Sequence, residues 1–239
     1  MVAGAGAVAS LLLADSRFPA GSYAHSLGLE QAVAEGLGVD GVAPFMRARL
    51  VLVAQPDAAL SVAARRAAAM RGEKTTPGVA CSPHPEDELA ALDAEHAARC
   101  PSAVLRDVAR RLGSQLLRSA ATAWPSVAID RYRSDSSTTP RPVALGVVGA
   151  VAGLSDLEVA MVALYDDAAT VSSAALKLLG LDPARTARWL AELTEEIADM
   201  ARELADDLRP VAQQPPPAAV AIELAASRHA TRTERFFVS

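Results

Sequence analysis

The sequence predicts an all-α fold, a single-domain bundle of about eight to ten helices. Hydrophobic residues make up 51% of the chain and aromatic residues only 4%, so the core must be built from Ala, Leu and Val. Ala and Leu are strong helix formers, whereas strands favour aromatic and β-branched residues. Apolar residues recur at helical spacing, and no stretch alternates as a strand would. A chain of 239 residues is long enough to bury one sizeable core.

The first quarter of the chain predicts four helices. The first covers about residues 5–13 and ends in the Pro- and Gly-containing segment 16–21. The second covers about residues 26–35. Pro44 and Pro56 are expected to open two more helices, because a proline in the first turn loses no helical hydrogen bond.

The middle of the chain contains two polar breaks. Residues 73–85 are rich in Lys, Thr, Pro, Gly and Ser, which predicts a surface loop. Helices are predicted to resume at about Glu86 and at Ser102, and the second has a leucine-rich face opposite an arginine-rich face. Residues 132–142 form the second predicted break.

Two capping signals mark the helices that follow. Ser155 and Glu158 have the spacing of a capping box, in which each side chain satisfies a free N–H of the first turn. The helix that they begin runs to about Leu179 and is apolar nearly all round, so we expect it in the middle of the bundle. Asp182, before a first-turn proline, begins a helix with one apolar and one charged face, which is expected at the periphery.

The chain divides into an all-helical domain, residues 1–214, and a C-terminal helix and tail, residues 215–239. Three consecutive prolines at 215–217 form a stiff joint between them, and the last helix is predicted at about 218–229. The tail combines arginines with two phenylalanines, as expected of a segment that docks on a partner.

Composition excludes several functions and indicates a location. The net charge of −5 and the pI of about 5.4 argue against a general nucleic-acid binder. Two cysteines are too few for a disulfide framework, which indicates the cytoplasm. After the apolar opening of the chain, residues 1–14, the longest apolar run is residues 143–154, which is too short to span a membrane. No P-loop, dinucleotide-binding turn or nucleophile elbow is present, so we expect neither an enzyme nor a cofactor.

Two sets of residues are candidates for metal chemistry. Cys81, His84, His96 and Cys100 have spacings that a zinc site can use. The alternative is a solvated loop and a half-buried cysteine. If the four residues do form a site, the chain is a stand-alone metal-binding protein.

Asp166 and Asp167 form the second set, because adjacent carboxylates inside a bundle are costly unless they bind something. On an all-helical protein they resemble the motif by which isoprenoid synthases hold magnesium diphosphate, although Thr170 replaces the third aspartate. This alternative makes the chain a magnesium-dependent helical enzyme. The other interpretation is that the pair faces a partner subunit or solvent.

Residues 13–30, LADSRFPAGSYAHSLGLE, resemble the signature of the UreF urease accessory proteins. The resemblance continues through segments such as 173–178 and reaches the end of the chain at 223–229 and 236–239. The chain departs from the family's pattern at residues 179–183 and at the two central aspartates, so the resemblance does not extend to contacts of that region with a GTPase.

The resemblance implies an all-α, homodimeric scaffold in the delivery of nickel to apo-urease. Its partners would be an accessory protein of the UreD (UreH) type and the GTPase UreG. The positions that match the family's partner surface are Asp15, Ser26, Glu30, Lys177, Arg228, His229, Arg235 and Phe237. His25 is a candidate for the nickel path. The alternative is that His25 and Glu30 cap and orient their helix and that Lys177 only complements a helix dipole.

Overall fold

The computed structural model describes residues 4–73, 85–135, 139–214, 217, 219–233 and 235–238. Within them the chain forms twelve α-helices and no strand, which confirms the all-α, single-domain prediction. The helices are α1 (Ala5–Ala14), α2 (Leu29–Ala34), α3 (Val42–Arg49), α4 (Gln55–Glu73), α5 (Pro85–Arg99), α6 (Ala103–Ala123), α7 (Val127–Asp135), α8 (Arg141–Ala152), α9 (Asp156–Leu179), α10 (Pro183–Glu192), α11 (Thr194–Asp206) and α12 (Val220–Ala230).

The centre of the bundle is built from α4, α8 and α9. α8 packs between α4 and α6, while α9 is covered by α1, α4, α10 and α11. α9 is long and apolar enough to cross a membrane, but 61% of its most apolar stretch is buried inside the fold. It is therefore the central core helix that its all-round apolar sequence predicts.

Glycines let the central helices approach closely. A Cβ on Gly146 of α8 would fall on the backbone carbonyl of Ser61 in α4. A Cβ on Gly113 of α6 would likewise meet the carbonyl of Thr139, just before α8. Only glycine fits where two backbones meet at such short range.

The predicted caps are present. The Ser155 hydroxyl accepts a hydrogen bond from the Glu158 amide at 3.2 Å, and the Glu158 carboxylate accepts one from the Ser155 amide at 2.7 Å. Asp182 caps α10 by accepting from the Ala184 amide at 2.9 Å. Both helices begin where the sequence predicts.

Two predictions for the first quarter were wrong in detail. α2 begins at Leu29, three residues later than predicted, because Leu27 (φ 54°) and Gly28 (φ 89°) are left-handed. Pro56 lies in the first turn of α4, as predicted, but no break separates α4 from the helix before it. A π-helical segment, Leu50–Ala54, joins α3 to α4, and its wider turn accommodates a proline ring that would clash with a regular α-helix.

Two later predictions also differ from the structure. α7 occupies the first part of the polar break predicted at 132–142, and the Ser126 hydroxyl caps it by accepting from the Ala128 amide at 3.2 Å. The helix predicted after Asp182 is two helices, because the chain turns at Leu193, whose amide bonds the Leu190 carbonyl. The apolar spacing continues across this turn, so periodicity alone does not reveal it.

Candidate functional site

The C-terminal tail is anchored to the first turn of α2 by Glu30. Its carboxylate accepts hydrogen bonds from the backbone amide of Phe236 at 2.7 Å and of Phe237 at 3.0 Å, and lies 2.9 Å from Nε2 of His229. Glu30 and His229 are buried. Burial alone would raise the pKa of Glu30, but the hydrogen bonds from Phe236, His229 and Phe237 together hold it below its ordinary value. We call these four residues the Glu30 anchor.

The local chain conformation places Glu30 in reach of the tail. Leu27 and Gly28, both left-handed, turn the chain sharply into α2, so Glu30 lies in the first turn of that helix. A carboxylate there is favoured by the positive end of the helix dipole. The same turn buries Ser26 completely.

Side chains of the tail alternate between the core and the surface. Phe237 is buried, and Nζ of Lys177 lies 5.3 Å from the centre of its ring, a cation–π contact. The Val238 amide donates to the Ala24 carbonyl at 2.9 Å. Phe236 and Val238, on either side of Phe237, are 82% and 55% exposed. The buried phenylalanine thus holds a tail that presents apolar side chains outward.

Three of the remaining predicted partner residues, Asp15, Arg228 and Arg235, lie at the surface, whereas Ser26 is completely buried. Arg228 pairs with Glu35 at 2.7 Å, both partly exposed, and Arg235 is exposed. Asp15 accepts from the side chain and the amide of Arg17, and these bonds lower the pKa of Asp15 to about 2. Of the eight predicted residues, the structure brings together Glu30, His229, Phe237 and Lys177.

The second polar site lies inside the bundle, around the central aspartates. Asp167 forms two hydrogen bonds with Arg49, at 3.2 and 2.5 Å, and Asp166 pairs with Arg141 at 2.8 Å. Both aspartates are largely buried. The Ser22 hydroxyl also donates to Asp166 at 3.4 Å. We call these two ion pairs the inner ion pairs.

These ion pairs answer the question of what the aspartates bind. Two guanidinium groups neutralise them and both side chains are largely buried, so the expectation that they face solvent was wrong, whereas a contact with a partner subunit stays a prediction. A magnesium ion would have to displace both arginines, and among the described residues no group of three or more His, Cys, Asp or Glu could hold a metal ion. Burial raises the pKa of Asp166, and the charge of Asp167 adds to this effect while Arg141 opposes it.

Asp57, near the start of α4, is the carboxylate that sequence reasoning missed. It lies close to the inner ion pairs, and among the described residues its carboxylate has no hydrogen-bond or ion-pair partner. Burial raises its pKa to about 7, the charge of Asp167 adds to this, and Arg49 and Arg141 oppose it. Its only signal in the sequence is that it is the one charged residue between Leu50 and Leu60.

The four cysteine and histidine candidates are only partly placed. Cys81 and His84 lie outside the described residues. His96 is buried, and burial together with Arg110 and Arg106 lowers its pKa to about 4. Burial and the charges of Asp57 and Glu223 raise the pKa of the Cys100 thiol to about 11, which disfavours the thiolate that a metal needs. The zinc site stays a prediction.

His25 is buried at the edge of the inner ion pairs. Burial lowers its pKa, and the charges of Arg141 and Arg111 act in the same direction. Its ring is therefore neutral at physiological pH. A neutral imidazole is the form that binds metals, so this protonation state is compatible with a nickel path. The role of His25 in such a path stays a prediction.

Comparison with known proteins gives one consistent result. A sequence model of the UreF family matches residues 39–194. The chain is 33% identical to the urease accessory protein UreF of Mycobacterium sp. (strain JLS) over 235 residues, which cover 96% of this chain and 97% of the relative. It is 34% identical to the protein of the same name from Mycolicibacterium vanbaalenii, over 79% of this chain and 86% of the relative. The protein of that name from Mycobacterium marinum is 33% identical over 77% of this chain and 79% of the relative.

Proposed function

The chain belongs to the UreF family of urease accessory proteins, and on that premise we propose that it is a non-catalytic scaffold for nickel insertion into apo-urease. It would bridge a UreD (UreH)-type accessory protein and a UreG-type GTPase in the cytoplasm. The observation that carries the proposal is the anchored tail, which holds Phe236 and Val238 outward on a fixed base.

The geometry of the tail supports a docking role. Phe236 is 82% exposed although its own amide is tied to Glu30. Tyr23, next to the Ala24 carbonyl that receives the Val238 amide, is 63% exposed. Aromatic side chains held rigidly at a surface lose little conformational entropy on binding and often dominate the energy of an interface. We propose that Tyr23, Phe236 and Val238 bind the UreD-type protein.

We further propose that the protein acts as a homodimer. An apolar face on α1 supports this, because Val8, Leu11 and Leu12 are 68%, 72% and 46% exposed and lie on one side of the helix. Size-exclusion chromatography with light scattering tests it. Leu11→Asp should shift a dimer of the wild-type chain to a monomer, and a wild-type chain that is monomeric at all concentrations would refute the dimer.

The scaffold role is tested in cells that carry a complete urease operon but lack this gene. The intact chain should restore nickel-loaded urease, and a chain truncated before Pro215 should not. Active urease in cells without either chain would refute the maturation role. Co-purification with the UreD- and UreG-type proteins measures the bridging step directly.

A matched pair of substitutions separates docking from folding. Phe236→Ala removes an exposed ring and should abolish co-purification with the UreD-type protein while the melting temperature stays the same. Val127→Ala removes an 85% exposed side chain on α7 and should leave co-purification intact. Equal binding by both variants would exclude Phe236 from the interface.

A further inference from the structure

A cavity of about 180 Å³ lies between α12 and the helices α4, α6, α8 and α9. An engineered core cavity of about 150 Å³ admits benzene, so this space can hold a small organic molecule. Most of its wall is hydrocarbon, contributed by Leu60, Leu105, Val108, Leu112, Leu145 and Ile222. The C-terminal helix therefore forms one wall of this partly open space as well as leading to the anchored tail.

The polar part of the wall contains the carboxylate of Asp57. Asp57 lies deep in the protein and yet keeps some exposed surface, because that surface faces the cavity. Among the described residues no group donates to its carboxylate. A buried carboxylate without donors is costly, and a cationic ligand would remove that cost.

The surrounding charges leave one negative charge uncompensated. Asp166, Asp167, Arg49 and Arg141 all line the cavity and form two ion pairs with each other. When Asp57 is ionised, these five groups carry a net charge of −1. Two more charged groups line the same space: Arg99, whose charge is compensated by Glu95 at 2.7 Å, and Glu223 of α12, which adds to the negative potential. The cavity therefore selects a cation rather than an anion or a neutral polar molecule.

The lining distinguishes between classes of cation. A divalent metal takes several oxygen, nitrogen or sulfur ligands at once, and the described residues contain no cluster of three or more that could hold one. An organic cation needs one counter-ion and an apolar wall, and the cavity has both. We propose that this cavity binds an alkylammonium group, with the ammonium against the Asp57 carboxylate and the hydrocarbon chain against the leucine-rich wall. This inference is independent of the role in urease maturation.

Titration of the intact chain with pentylammonium and with 1-pentanol tests the proposal, because the two probes match in chain length and differ in charge. Binding is followed by NMR shifts or calorimetry at about pH 8, where both Asp57 and the amine are charged. We expect saturable binding of pentylammonium at least about tenfold tighter than that of 1-pentanol. A lysine side chain carries the same group, so Nα-acetyl-lysine methylamide is titrated beside the free amine. Binding of that probe alone would assign the site to a protein side chain, and binding of pentylammonium alone to a small molecule.

Two substitutions make the test specific. Asp57→Asn should weaken pentylammonium binding at least about tenfold and leave 1-pentanol binding within about twofold. Asp93→Asn is the matched control, because Asp93 is also a buried carboxylate with a raised pKa but does not line the cavity. It should leave both probes unaffected. Absence of saturable ammonium binding, or equal binding by the Asp57 variant, would overturn the proposal.

Discussion

The Glu30 anchor and the surroundings of Asp57 are two buried acidic sites of opposite character. Glu30 receives two backbone amides and an imidazole, and its pKa falls despite burial. Asp57 receives no hydrogen bond among the described residues, and its pKa rises to about 7. Burial disfavours both charges, so the difference comes from the donors that the fold brings to each carboxylate.

Buried carboxylates have two different roles in this chain. At the tail, a satisfied carboxylate fixes a terminal segment that would otherwise fray. In the core, two arginines satisfy Asp166 and Asp167, and the third acid is left facing a cavity. The first arrangement stabilises the fold, whereas the second leaves a site that a ligand can complete.

The largest effect is expected where a buried ion pair is broken. Arg49→Met leaves Asp167 unpaired among core helices and removes the bond from Arg49 to the Leu27 carbonyl. We expect a loss of about 3–5 kcal/mol in the free energy of unfolding, measured with urea. The double variant Arg49→Met with Asp167→Leu should recover most of it, because no charge is then left buried and unpaired.

Arg47→Met is the matched control for this prediction. Arg47 lies two residues away and pairs with Glu196 at 3.4 Å on the surface, so its loss should cost about 0–1 kcal/mol. Equal destabilisation by both single variants would show that the inner ion pairs do not differ from surface pairs.

The second effect concerns the Glu30 anchor. In Glu30→Gln, the amide has one acceptor oxygen and points an NH₂ group at donors. The free energy needed to open the tail locally should therefore fall by about 1.5–3 kcal/mol. The amides of Phe236 and Phe237 should then exchange with deuterium roughly ten- to a hundredfold faster. Global unfolding should change little, because the tail is a peripheral unit.

Acid should release the tail in the same way. The folded pKa of Glu30 lies below its ordinary value of 4.5, so the stability that the anchor contributes is complete above that value. It is lost as the pH falls through the lower, folded pKa. Glu35→Gln, which breaks only the surface pair with Arg228, should leave amide exchange of the tail and its acid dependence unchanged. Protection of the tail amides, taken relative to their intrinsic exchange rates at each pH, that is independent of both Glu30 and pH would refute the anchor.

Local features of this chain could be predicted from its sequence, and long-range ones could not. The caps at Ser155 and Asp182 and the central position of α9 follow from spacing within one or two helical turns. Glu30 and His229 were identified by their match to a family motif. That they meet each other, 199 positions apart in the chain, depends on how α12 packs.

The partners in the inner ion pairs are also long-range contacts that the sequence does not predict. The sequence marks Asp166 and Asp167 as unusual, but Arg49 lies 118 positions from its partner Asp167. Which arginine faces a carboxylate is decided by the crossing of α3 and α9, and helical spacing within one segment contains no information on that crossing. The turn at Leu193 escaped prediction because apolar spacing continues through it. Pro56 predicted a break where a π-helical segment in fact joins α3 to α4.

The third substitution should raise stability, whereas the first two should lower it. Asp57→Asn removes a carboxylate whose charge is not compensated, so it should stabilise the fold by about 1–2 kcal/mol above pH 7. The folded pKa of Asp57 is about 7 and its ordinary value is 3.8. In the wild-type chain the cost is therefore absent below about pH 4, grows between these values and is constant above pH 7. Urea unfolding of both chains across this range measures the difference, and a gain independent of pH would contradict the raised pKa of Asp57.

The smallest effect is expected at the surface pair beside the anchor. Arg228 bonds Glu35 at 2.7 Å, but both side chains are more than 40% exposed, so solvent screens their attraction. Arg228→Ala should change the free energy of unfolding by about 0–1 kcal/mol, and about 0.5 M salt should remove the remaining difference. Tail amide exchange should stay close to wild type, because Glu30 and His229 remain in place. If Arg228→Ala released the tail as fully as Glu30→Gln, the surface pair and not the buried carboxylate would hold the C-terminus.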